Sequence, residues 1–133
     1  MRVLYLLIFF SVLGCKKEQP YFTYVPEQMI GYWSLSGYAD SLTVYSKIPA
    51  FTDAPGICFQ ENGFFIERQN SGWCGTPPVT YSDYKGKYAL KDSLLVIESA
   101  YWGGSYRSEW KLQEVTHDTL KLVMKNIIYP NLK

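Results

Sequence analysis

Histidine occurs once in the 133 residues, cysteine three times, and no apolar run is long enough to cross a bilayer as a helix. Each scarcity removes a class of function. The lone His117 sits beside Asp118 in a turn-like stretch, with no second imidazole to form a metal cage or proton relay, so a solvated turn residue is its expected role. No Gly-x-Ser-x-Gly elbow and no histidine-containing metal motif occurs. The chain is therefore expected not to be an enzyme and to need no metal or cofactor. A hairpin at Gly103-Gly104 brings Glu98 towards Glu109, as a glycosidase pair requires, but carboxylates sharing a solvent face are the commoner case. An excess of charge of one sign is missing too, with 13 basic against 12 acidic side chains, which leaves no electrostatic footprint for nucleic acid. Helical periodicity is the last absence: beyond residue 15 no segment repeats apolar residues every three to four positions.

What is present begins at the N-terminus. Arg2 precedes the apolar run Val3 to Leu13, whose 11 residues suit a secretory signal rather than a membrane span. The run closes on Val12-Leu13-Gly14-Cys15, which resembles the bacterial lipobox. That resemblance implies cleavage after Gly14 and acylation of Cys15 with several chains, which is a lasting anchor where one chain alone holds only marginally. An ordinary signal peptide is the rival reading, and it would leave Cys15 as an odd thiol in an oxidising compartment. Residues 15–28 then read as lipidated cysteine and tether, and Lys16-Lys17 is too short a basic cluster to mark lipid recognition. Removing residues 1–14 from 133 leaves 119, the size of one domain, and the loss of Arg2 leaves 12 basic and 12 acidic side chains. With Cys15 assigned to lipid, Cys58 and Cys74 form an even pair in an exported chain, so a disulfide is expected ahead of a two-cysteine metal site that lacks further ligands.

Aromatic residues are abundant, with 12 Tyr, 4 Trp and 7 Phe, and several segments alternate with period two between turn signals. Along Ser105 to Val115, Tyr106, Trp110 and Leu112 fall on one face and Arg107, Glu109, Lys111 and Gln113 on the other. Thr116 to Thr119 turns this strand into Leu120, Leu122 and Met124. Upstream, Asn62-Gly63 predicts a two-residue turn. Its register would pair Phe59 with Ile66 and Cys58 with Glu67, placing Ile57, Phe59, Phe64 and Ile66 on the core face and Cys58 outside. Tyr84 to Leu90 and Ser93 to Glu98 form another hairpin, and strands near Tyr32 to Leu35 and Leu42 to Tyr45 complete a set of eight. The expected fold is all-β, a small antiparallel up-and-down (meander) barrel of about eight strands over residues 29–126, with 127–133 as a tail; an open sandwich is the alternative. The Gly- and Pro-rich loop from Gln69 to Thr80, carrying Trp73 and Cys74, is long enough to be functional or simply to cover the barrel end.

Taken together, the lipobox, Gly31-Tyr32-Trp33 at the first strand, and the hairpins ending in Trp110 and Leu120-Lys121-Leu122-Val123 resemble the lipocalin-like domain lipoproteins of Gram-negative bacteria. The resemblance spans about Met29 to Lys125 and implies a tryptophan that closes the barrel floor. Ser82-Asp83-Tyr84 looks like the threonine-aspartate-tyrosine motif of lipocalins, yet four strands follow it, so Thr116-His117-Asp118 is the equivalent turn. No long helix follows the last strand. One reading is a binding module whose barrel mouth holds a small apolar or amphipathic molecule against aromatic side chains, with Trp33, Phe59, Phe64, Tyr88, Tyr106 and Trp110 as candidate contacts. The alternative is a protein-interaction or structural module of the cell envelope, or a glycan-binding surface lipoprotein, using Tyr38, Tyr45, Trp73, Tyr81, Tyr101 and Trp102. In such lipoproteins an aspartate after the acylated cysteine marks inner-membrane retention. Lys16 stands there instead, so an outer-membrane anchor is expected.

Overall fold

The structure is a computed structural model that describes residues 25–71 and 77–130. Period-two segments become eight antiparallel strands: β1 Gly31–Ala39, β2 Leu42–Ile48, β3 Gly56–Phe59, β4 Phe64–Asn70, β5 Tyr81–Lys91, β6 Leu94–Tyr101, β7 Gly104–Val115 and β8 Thr119–Ile128. They close into an eight-stranded up-and-down barrel, as the alternating pattern predicted. From β3 to β8 each strand pairs with the next. The β1–β2 hairpin closes the ring, with β2 beside β8 and β1 beside β3. The chain between β2 and β3 therefore folds over β1, where Phe51 packs edge-on against Tyr32 with ring centroids 4.9 Å apart. No helix among the described residues is long and apolar enough to cross a membrane.

The β3–β4 hairpin departs from its predicted register. Gln60 N–H donates to Phe64 O at 2.9 Å and Gly63 N–H to Gln60 O at 3.3 Å, so the loop is the three residues 61–63. Gly63, at φ +82°, takes the left-handed position that ends such a loop, where glycine carries no Cβ penalty. The extra residue moves every pair by one: Phe59 faces Phe65, Cys58 faces Ile66 and Ile57 faces Glu67. A one-residue slip turns a strand's side chains to the opposite face. Phe65 is thus 1% exposed and Phe64 50% exposed, reversing the expectation that Phe64 and Ile66 join the core. Cys58 does face outward, as a free and buried thiol whose pKa is raised by burial. Its expected partner Cys74 lies outside the described residues, as do Cys15 and Trp73.

Core and cavity divide the barrel between them. The end bearing the β3–β4, β5–β6 and β7–β8 turns is filled by Trp33, Phe59, Phe65, Tyr88, Leu95 and Leu122, each buried. Each such side chain contributes roughly 1.5–3 kcal/mol by leaving water. Phe59 packs against Phe65 at 5.3 Å and Tyr88 at 4.9 Å, while the Tyr88 hydroxyl donates to Gln60 O at 2.6 Å. Below them a single 3₁₀ turn, Glu27–Met29, plugs the end with the fully buried Met29. Trp33 Nε1 donates to Met29 O at 2.8 Å. Lys47 Nζ lies 4.5 Å from the centre of the Trp33 ring and donates to Gln28 O and Ile30 O, holding the turn's C-terminal carbonyls against the floor.

Candidate functional site

The opposite end is open. A cavity of about 730 Å³ occupies the lumen between the packed floor and the loops that follow β1, β4 and β6. Its position follows from where the large side chains stop. Inward positions below it carry Trp, Phe and Leu, whereas those around it set Thr43, Glu67, Gln69 and Ser108 between Tyr45, Tyr106 and Trp110, and together these leave the space open. Strand pairing explains which side chains converge there. Trp33 pairs with Ile57, and Ile57 pairs with Glu67, so all three face the lumen from one ladder row. On the far wall Tyr106, Ser108 and Trp110 alternate inward along β7, and Trp110 Nε1 donates to Ser108 Oγ at 2.8 Å.

The walls are mainly apolar, with Leu35, Ile57, Trp110, Met124 and Ile127 among them. Around the rim stand Tyr38, Tyr101, Trp102 and Tyr129, of which Tyr38 is 75% and Trp102 55% exposed. Tyr101 contacts both Trp102 and Tyr129 edge-on, at 6.0 and 5.5 Å, which gives the rim a continuous aromatic arc.

One carboxylate reaches inside. The Tyr106 hydroxyl donates to Glu67 Oε2. These residues lie on β4 and β7, which are not neighbours in the ring, so this hydrogen bond crosses the lumen. Burial raises the Glu67 pKa, and the Tyr106 hydroxyl opposes that shift. Burial, followed by the Glu67 charge, pushes the hydroxyls of Tyr106 and Tyr45 well above the ordinary tyrosine range. The adjacent Arg68 points the other way. Its guanidinium grips Asp83 through Nε–Oδ1 at 2.7 Å and Nη2–Oδ2 at 2.9 Å, donates to Thr52 O and stacks over Phe51. Among the described residues no cation pairs with Glu67.

Of the candidate ligand contacts, Tyr106 and Trp110 line the cavity, while Trp33, Phe59 and Tyr88 are locked in the packed floor and Phe64 lies outside the barrel. Tyr45, expected at the surface, lines the lumen instead. Glu67 was missed as an inward residue because the Asn62-Gly63 pair suits a two-residue turn; the glycine at the third position of a longer loop is the signal that distinguishes the two registers. On the outer face, Arg107 bridges Glu98 at 3.3 Å and Glu109 at 3.8 Å, so these carboxylates belong to a solvent-side ion-pair group. His117 is exposed in its turn, 3.8 Å from Asp118. Asp118 accepts hydrogen bonds from Thr116 and Thr119, which lower its pKa. No cluster of three or more potential metal ligands occurs among the described residues. Comparison of the chain with protein-family models, with curated proteins and with solved structures finds no match.

Proposed function

We propose that this chain is a lipid-anchored envelope lipoprotein whose barrel, lipocalin-like in design, binds a small apolar or amphipathic molecule and performs no chemistry on it. The cavity of about 730 Å³ carries this reading, because it falls inside the ~300–1,000 Å³ range of small-molecule pockets and pairs apolar walls with few polar groups. A barrel of eight strands is narrow enough to be filled by its own side chains, so leaving one end of it open is a feature of this sequence. The chain's entry into the barrel supports the same picture. Val25 packs against the core of the closed end, so the described chain begins at the end opposite the mouth. The mouth then stays accessible to molecules crossing the envelope.

Native mass spectrometry of the full chain, recovered from its own membrane in lipid nanodiscs, tests the binding role. A small molecule retained by the protein and released on unfolding is the expected result. A barrel that is always bare and always accompanied by one other protein would transfer the argument to the exposed rim of Tyr38 and Trp102 as a protein-binding surface. Cys15→Ser tests the anchor separately, and should abolish incorporation of labelled palmitate and release the protein from the membrane fraction.

A further inference from the structure

We propose that the cavity selects an organic cation, an amine-bearing molecule whose ammonium group pairs with Glu67 while its apolar body rests on Ile57, Trp110 and Met124. The inference rests on the lumen being a binding site, and it adds the chemical class of the occupant. A carboxylate has room for several donors, and the only hydrogen bond Glu67 makes among the described residues is the one from Tyr106. No cation among the described residues pairs with it, although Arg68 borders the cavity. Arg68, its neighbour in sequence, is held on the outer face by Asp83 and Thr52 O. Lys47, whose ammonium lies against the Trp33 ring, is spent on Gln28 O and Ile30 O.

Charge in this setting discriminates strongly. A half-buried carboxylate without a counter-ion loses part of its hydration, and this desolvation raises the Glu67 pKa. A ligand ammonium removes that cost by forming a charge-assisted hydrogen bond in a partly desolvated site. Tyr45, Tyr106 and Trp110 line the same space, and their ring faces are attractive to a cation. An anionic ligand of the same shape meets like charge beside Glu67, which excludes it. The expected order of affinity is therefore amine, then neutral alcohol, then carboxylate.

Isothermal titration calorimetry on the full chain in nanodiscs reads this order with phenylbutylamine, phenylbutanol and phenylbutyrate, which share one apolar body. The amine should bind tighter than the alcohol by roughly tenfold or more, the size of effect expected for a hydrogen bond to a charged group. In Glu67→Gln, matched to wild type by its thermal melt, the preference for amine over alcohol should vanish. Equal binding of amine and alcohol by the wild-type protein would overturn the cation proposal and leave the cavity reading standing. Failure of all three probes to bind would remove both. Because the wild-type series alone decides the order, the test survives even if the variant does not fold.

Discussion

Replacing Trp33 with phenylalanine probes the closed end, on which the shape of the open end depends. Trp33 is fully buried and does three things at once. Its Nε1–H satisfies Met29 O at 2.8 Å, its ring carries the Lys47 ammonium at 4.5 Å, and its bulk closes the floor above the Glu27–Met29 turn. Phenylalanine keeps an aromatic face but has no donor and a smaller ring. Leaving a buried carbonyl without its partner costs about 1–3 kcal/mol. The volume lost and the weaker cation contact add about 1 kcal/mol. The total is about 2–4 kcal/mol, which for a domain near 100 residues lowers Tm by about 8 °C or more. Urea unfolding and thermal melts measure it, and hydrogen exchange should show that Met29 and Ile30 lose protection before the β6–β7 hairpin does. A loss below about 1 kcal/mol with unchanged protection at Met29 would refute the claim that Trp33 holds the plug.

Two further substitutions and a pH series test the register and the lumen. Phe65→Ser should destabilise by about 3 kcal/mol or more, since it opens a void in the floor and buries a hydroxyl, whereas Phe64→Ser, at an exposed position, should change stability by about 0.5 kcal/mol or less. A reversed ranking in urea unfolding would restore the two-residue turn and turn Glu67 outward. The raised pKa of Glu67 means that the folded state binds this proton more tightly than the unfolded one. The stability it contributes is complete below the ordinary glutamate pKa of about 4.3 and is lost as pH rises through the folded value. The difference in unfolding free energy between wild type and Glu67→Gln should therefore fall with rising pH across that window. A difference that rises with pH would mean that Glu67 is already paired with a cation.

Much of the barrel is legible in one sequence because period two is a local property. Along β7 the alternation of Tyr106, Trp110 and Leu112 with Arg107, Glu109 and Lys111 fixes inside and outside without knowledge of any neighbour. The same holds for β8, where Leu120 and Leu122, alternating with Lys121, are buried. Where the period gives two answers, local information fails. Asn62-Gly63 accommodates either a two- or a three-residue loop, and β4 offers an aromatic residue at both Phe64 and Phe65, so apolarity does not choose between the registers. Packing chooses, because Phe65 completes the floor with Phe59 while Phe64 can stand in solvent.

The residue pattern by itself determined that this chain makes an aromatic-rich, all-β series of antiparallel hairpins, because side-chain alternation and turn chemistry act over a few neighbouring positions; that the ring closes was decided by the pairing of β2 with β8 and of β1 with β3. The tertiary structure alone decided how that barrel is used. It concentrated the large side chains at one end, left about 730 Å³ open at the other, and carried Glu67 across the lumen to Tyr106. Those outcomes bring together residues 39 apart in the chain on strands that do not pair, and such long-range placement is settled by the register of each intervening pair and the collective packing of the floor.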